Sequence, residues 1–211
     1  MEYERERSFL VKSLKERGTS ERTLRAMGKV ARHHFVPSTH VSSAYVDSPL
    51  PIGHKQTISA PHMVAIMCDL LELQEGQTIL EIGAGSGYNA AVMAEIVGKN
   101  GQVYSIERHE PLARFARENL ERAGYSNVEV ILADGSLGYP EHAPYDRICV
   151  TASAPETPKA LLEQLSSGGI MVLPEGDSYQ NLYLIRKSMN GEITKEDKGR
   201  VVFVPLVADH S

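Results

Sequence analysis

Residues 78–92 read TILEIGAGSGYNAAV (Thr78–Val92). A short apolar run, TILEI, meets a glycine-rich turn, and a small-residue stretch of helical character follows. An apolar run of this length bounded by turn signals reads as a buried strand. Gly83, Gly85 and Gly87 let the backbone turn tightly and let a ligand approach it, while the helix that follows offers free N–H groups. The spacing is G-x-G-x-G, not the dinucleotide G-x-G-x-x-G. The stretch lacks the Lys-Ser/Thr of a phosphate loop and is not the G-x-S-x-G of a serine nucleophile. Glu81 stands two residues before the first glycine, where it would repel a pyrophosphate. A ligand with a cationic amino-acid part and no phosphate suits the loop better.

The alternation continues on both sides. Strands are expected at VYSIE (103–107), VEVIL (128–132), DRICVT (146–151) and IMVL (170–173). Helices are expected over 87–98, over 110–123 with Gly124 as the stop, and over 157–166. LYLIR (182–186) and VVFVPLV (201–207) flank Asn190-Gly191 and are expected to pair antiparallel. The order predicts an α/β fold: a doubly wound, mostly parallel sheet with an antiparallel C-terminal edge. Upstream, residues 5–17 read as a helix with Phe9, Leu10 and Leu14 on one side. Residues 20–34 read as a second, N-capped by Ser20, carrying Leu24, Met27, Gly28 and Ala31 inward and ended by Pro37. Residues 37–60 form a long Pro- and Ser-rich loop, expected to pack through Val41, Tyr45, Val46, Leu50, Ile52 and Ile58. Pro61 opens a third helix with Met63, Ile66, Met67, Leu70 and Leu71 on its apolar face and Cys68 facing away.

Three acids fall at the carboxyl ends of successive strands, where open α/β sheets bind ligands. They are Glu81, Glu107 and Asp134. An acid at the place of Glu107 accepts hydrogen bonds from ribose hydroxyls, and Asp134 is placed to meet an adenine amino group. Each acid alone would serve equally as a cap or turn residue. Together with the glycine loop they resemble class I S-adenosylmethionine-dependent methyltransferases, which have a Rossmann-like fold. The resemblance implies S-adenosyl-L-methionine as cofactor and S-adenosyl-L-homocysteine as product. Glu81, Gly83, Gly85 and Gly87 would lie near the methionine part, Glu107 at the ribose, and Asp134 with Gly135 at the adenine.

The loop ahead of the third helix, PIGHKQTISAPHM (51–63), sets hydroxyls and backbone N–H groups at a helix mouth. From spacing alone Ser59 or Thr57 reads first as a helix cap, with an anion site as the alternative. Here the chain resembles the protein-L-isoaspartate O-methyltransferases. The segments that carry the resemblance are LPIG (50–53), QTISAPHM (56–63), ILEIGAGSGYNAAV (79–92), VYSIER (103–108), LADGSLGYPEHAPYDRI (132–148) and VPLV (204–207). It spans residues 5–207. It implies methyl transfer to the free carboxylate of L-isoaspartyl residues in damaged proteins and peptides, after which the ester closes to a succinimide and hydrolysis partly restores aspartate. It implies Ser59 as the active-site residue, Thr57, Ile58 and His62 lining the acceptor site, and Val207 clamping the substrate backbone. Lys55 and Ala133 stand where the family commonly has glycine, and Ser153 interrupts a usual alanine run.

Composition narrows the setting. The chain has 211 residues, 42% of them hydrophobic, too apolar for a disordered protein and enough for a full core. Cys68 and Cys149 stand apart, in no C-x-x-C or Cys/His pattern, so neither a disulfide scaffold nor a metal site is expected. No apolar run approaches the ~20 residues of a membrane span. The start, MEYERERSF, has no apolar secretory stretch. Lys and Arg number 22 against 27 Asp and Glu, a net charge of −5, which argues against a nucleic-acid partner. Residues 1–36 carry a net +4, read as the solvated faces of two helices. The expectation is a cytoplasmic monomer of one domain, 1–211, in which 1–60 supplies N-terminal helices and a substrate loop and 61–211 the α/β core.

Overall fold

Residues 3–207 are described, in a computed structural model. Helix α1 (Glu4–Glu16) buries Leu10 and Leu14, one helical turn apart. Phe9 lies off that line and is 76% exposed, against expectation. In α2 (Glu21–Lys29) the Ser20 hydroxyl caps the first turn by accepting the Thr23 N–H. The helix stops at Lys29, well before Pro37, and a 3-10 turn, Arg32–Phe35, swings Arg32 and Phe35 into the core.

The long Pro-rich segment is ordered. It holds a 3-10 turn, Ser38–Ser43, and an unanticipated hairpin of β1 (Leu50–Gly53) and β2 (Gln56–Ile58). Leu50, Ile52 and Ile58 are buried and Val41 and Tyr45 pack on the core, whereas Val46 is exposed. Pro61 opens α3 (Pro61–Leu70) as expected. Its buried stripe runs through Val64, Met67, Cys68 and Leu71, spaced i, i+3, i+4, i+7. That is one position round from the face read in the sequence: Ile66 is exposed and Cys68, expected to face away, is buried.

The core then builds through β3 (Thr78–Ile82), α4 (Tyr88–Val97), β4 (Gln102–Glu107), α5 (Glu110–Ala123), β5 (Val128–Leu132), β6 (Tyr145–Val150), α6 (Lys159–Gln164), β7 (Leu165–Glu175), β8 (Gln180–Lys187) and β9 (Ile193–Val201). These strands form a seven-stranded sheet in the order β5-β4-β3-β6-β7-β8-β9. The first five run parallel, and β8 and β9 add antiparallel. Alternate residues face opposite sides. Ile79, Val103, Cys149 and Val172 pack with residues of α1–α5, while Leu80, Ile82, Ile148 and Val150 pack with Leu161 of α6.

The last strand is not VVFVPLV. The partner of β8 across the Asn190-Gly191 turn is ITKEDKGRV, an exposed edge that shows no apolar alternation. It is held by pairing to β8 and by ion pairs such as Lys195–Glu175 at 2.5 Å. Val202–Val207 leaves the sheet and crosses its C-terminal end. Ser153 ties it down on both sides: its N–H donates to the Val204 carbonyl and its carbonyl accepts the Leu206 N–H, each at 2.8 Å. The Gln180 side chain clasps the Phe203 main chain in the same way, at 2.6 and 3.1 Å.

Candidate active site

The strand order turns back at β3, with β4 on one side and β6 on the other. Such a reversal leaves a crevice outside the carboxyl ends of the strands. A cleft opens there, between the strand ends, the hairpin and the segment that crosses them. Gly83, Gly85, Glu107 and Gly135 line it from the sheet, Thr57, Ile58 and Ser59 from the hairpin and the residue after it, and Val204–Val207 from the crossing segment.

The glycine loop is built for close approach. Gly83 has φ 98 and a Cβ there would collide with the Thr151 hydroxyl, which donates to the Ile82 and Gly83 carbonyls at 2.9 and 2.8 Å. Gly85 has φ 55, and Ile52 of β1 packs over it. The Gly85 N–H donates to Glu107 Oε2 and the His109 N–H to Glu107 Oε1, each at 2.9 Å. Two backbone donors thus fix the Glu107 carboxylate at the cleft wall. Its remaining lone pairs suit a pair of hydroxyl donors.

Glu81 differs from expectation. The register sets it opposite Ser105 on β4 and Cys149 on β6, on the face beneath α4. It is wholly buried and does not line the cleft. The Ser105 hydroxyl and the Asn89 amide donate to its carboxylate, the latter at 2.8 Å. Burial pushes its pKa up to about 7. Through that bond Glu81 orients Asn89, which does line the cleft. Gly87 also lies off the cleft: it starts α4 at φ 84, pressed against Leu120 of α5. Asp134 caps the short turn Gly135–Leu137 by accepting the Ser136 N–H at 2.9 Å, and Gly135, rather than Asp134, reaches the cleft wall.

On the hairpin side, neither Thr57 nor Ser59 caps α3. Its N-cap is Ala60, and Asp47 reaches over to accept the His62 N–H and to pair with His62 Nδ1, both at 2.9 Å. Asp47 also meets Arg17 at 2.8 Å. Burial would raise the Asp47 pKa, but the His62 bonds and the Arg17 charge outweigh it and hold the group below the usual carboxylate range. His62 therefore faces a neighbouring groove and not the cleft. Pro49, Met63, Tyr179, Arg200 and Val202 also line that groove. Thr57, Ser59, Thr151 and Val204 line both spaces. Among the described residues the Thr57 and Ser59 hydroxyls have no hydrogen-bond partner, so both are open to a ligand. No group of three or more potential metal ligands occurs among the described residues.

Sequence reasoning passed over Asn89, Thr151 and Val204–Leu206. Thr151 follows a parallel strand at its carboxyl end, which is signal enough in retrospect. Val204–Leu206 hid inside a segment that reads as a strand.

The model of the protein-L-isoaspartate (D-aspartate) O-methyltransferase family matches residues 5–211. A protein-L-isoaspartate O-methyltransferase from Methanococcoides burtonii is 61% identical over 201 residues, covering 95% of this chain and 99% of its own. One from Methanosarcina mazei is 57% identical over 209 residues, 99% of this chain and 86% of its own. A solved protein-L-isoaspartate O-methyltransferase superposes with a TM-score of 0.90 at 32% identity, over 96% of this chain and 66% of that longer one. A Plasmodium falciparum structure assigned to the same activity, in complex with S-adenosyl-L-homocysteine, gives 0.85 at 30% identity, over 95% and 98%. The chain belongs to the protein-L-isoaspartate (D-aspartate) O-methyltransferase family.

Proposed function

We propose that this chain transfers the methyl group of S-adenosylmethionine to the free carboxylate of L-isoaspartyl residues in damaged proteins and peptides, holding that carboxylate at Thr57 and Ser59. The observation that carries the reading is the position of these two open hydroxyls, where the cleft meets the groove. When bound, S-adenosylmethionine supplies an electrophilic methyl carbon on a cationic sulfur. Glu107, fixed by two backbone N–H groups, is suited to the ribose hydroxyls. Gly83 and Gly85 leave room for the cofactor against bare backbone. Asn89, oriented by Glu81, offers a polar group beside that loop.

The remaining work is positioning. A carboxyl group with a pKa near ~3.9 is ionised at neutral pH. Transfer would form one C–O bond as the methyl–sulfur bond breaks, its electron pair staying on the sulfur of the departing S-adenosylhomocysteine, and it moves no proton, so no residue of the chain is required as a base. Orientation alone can be worth roughly 7–11 kcal/mol in well-aligned systems. Ser59 and Thr57 donate to the carboxylate, at roughly 1.5–3 kcal/mol for a bond to a charged group. Ile58 and Val207 flank it, and the groove beyond, with His62 on its wall, takes the rest of the acceptor chain. The following main-chain nitrogen of the acceptor then attacks the ester carbonyl, methanol leaves with the amide proton, and the resulting succinimide starts repair.

In this reading residues 1–211 act as one domain, as a cytoplasmic monomer, on isoaspartyl proteins and peptides and not on nucleic acid. The net charge of −5 supports the last point. Among the described residues no helix is long and apolar enough to cross a membrane.

The test is methyl transfer from labelled S-adenosylmethionine to a synthetic isoaspartyl peptide, with the matching L-aspartyl peptide as control. Label in the first alone is expected. Label in both, or in neither while the cofactor still binds by calorimetry, would refute the assignment of the acceptor.

A further inference from the structure

Arg32 has no exposed surface. Its Nε donates to the Ala44 carbonyl at 2.8 Å and its Nη2 to the Ser59 carbonyl at 2.9 Å. The guanidinium lies over the Tyr88 ring, 4.7 Å from the centroid. Its Nη1 is buried with no hydrogen-bond partner. Among the described residues no carboxylate lies within ion-pair distance of it. Asp47, whose charge reaches Arg32, is already engaged by His62 and Arg17. A buried charge left without a counterion is costly, and folded proteins ordinarily pair it. Replacement by an apolar side chain of similar size would relieve that cost while leaving the Ala44 and Ser59 carbonyls without these donors, so burial of the charge by itself gives no reason for a cation here.

The Ser59 contact supplies one. Arg32 ties the turn after α2, the segment at Ala44 and the residue after β2 to a single rigid group. It thereby fixes the main chain of Ser59, and it sets a positive charge behind that residue, felt by Asp47 but in ion-pair contact with no carboxylate among the described residues. We propose that Arg32 is a positioning residue for the acceptor: it sets the Ser59 hydroxyl and supplies the charge that lets this end of the cleft select a carboxylate over a neutral group. This rests on the function proposed above. Arg32 does not touch the acceptor itself; it acts through Ser59 and through its field, which is strong where water is excluded.

The test compares wild type, Arg32→Lys and Arg32→Met. The readout is the ratio of affinities for an isoaspartyl peptide and for its neutral isoasparaginyl analogue used as an inhibitor, with S-adenosylhomocysteine binding measured by calorimetry. In Arg32→Met the preference for the carboxylate is expected to fall about tenfold or more, as for removal of a nearby charge in a partly dry site. Arg32→Lys, which keeps the charge and loses the bridge between two carbonyls, is expected to retain that preference while KM for the peptide rises several-fold. S-adenosylhomocysteine binding should stay near the wild-type value in both. An unchanged ratio in Arg32→Met, with both ligands weakened alike, would reduce Arg32 to a structural residue. Should Arg32→Met fail to fold, Arg32→Lys decides: S-adenosylhomocysteine weakened as much as the peptide overturns the proposal. If wild type methylates no isoaspartyl peptide, it is the proposed function that fails, and that arm reads separately from the variants.

Discussion

Glu81 and Glu107 are carboxylates at the ends of adjacent strands, and the backbone gives them opposite duties. Glu107 is pinned at the cleft wall by the Gly85 and His109 N–H groups. Glu81 is sunk beneath α4, with burial raising its pKa from 4.5 to about 7. The folded protein therefore keeps a proton that the unfolded chain releases between those two values. The Glu81 contribution to stability is fully present below pH 4.5 and is lost as the pH rises through about 7. Glu81→Gln removes that dependence. Its melting temperature relative to wild type should climb from pH 4.5 to about 7 and level off above. A flat difference across that range would mean that Glu81 titrates normally. Spacing along the chain marked both acids, whereas Ser59 and Thr57 read first as helix caps and took a site role only from the family resemblance. It did not resolve which face of a strand an acid at its end occupies, so Glu81 read as a ligand contact. Nor did any local pattern mark Arg32, whose meaning depends on Ala44 and Ser59, distant in sequence.

The β1–β2 hairpin roofs the glycine loop, with Ile52 set on Gly85. Its turn puts His54 at φ 50 and Lys55 at φ 58, both left-handed. Residues with a Cβ are strained there by roughly 1–2 kcal/mol, whereas glycine is not. A glycine at the place of Lys55 would adopt this turn without that cost. Lys55→Gly should raise the melting temperature by about 2–4 °C, the shift that ~1 kcal/mol produces in a chain of this size. An unchanged or lower value would show that the lysine side chain contributes more than its backbone costs. This element hid from sequence reading because it is short and holds two prolines nearby, which read as loop. The opposite error befell VVFVPLV. Its apolar character belongs to a segment crossing the sheet end beside Ser153, while the strand itself, ITKEDKGRV, is an edge whose exposed side chains show no alternation.

Across the whole molecule, the parallel core from β3 to β7 was legible because short apolar runs bounded by turn signals mark its buried strands and longer segments separate them. The position of the cleft followed from the strand order, and the glycine loop with the QTISAPHM segment pointed to the cofactor and the acceptor. What remained hidden was tertiary: the distant cap from Asp47 that relieves Ser59 and Thr57 of capping duty, the Asp134 cap on the turn that follows it, and the segment Val204–Val207 that crosses the sheet end to line the cleft. In the function proposed here catalysis is by placement, with no residue acting as base or nucleophile. Its most direct test is the steady-state kinetics of Ser59→Ala on an isoaspartyl peptide, with S-adenosylhomocysteine affinity measured alongside. Loss of one hydrogen bond to a charged group predicts that kcat/KM falls about 10- to 100-fold while that affinity changes little. A kcat/KM equal to that of wild type would contradict the placement of the acceptor carboxylate at Ser59.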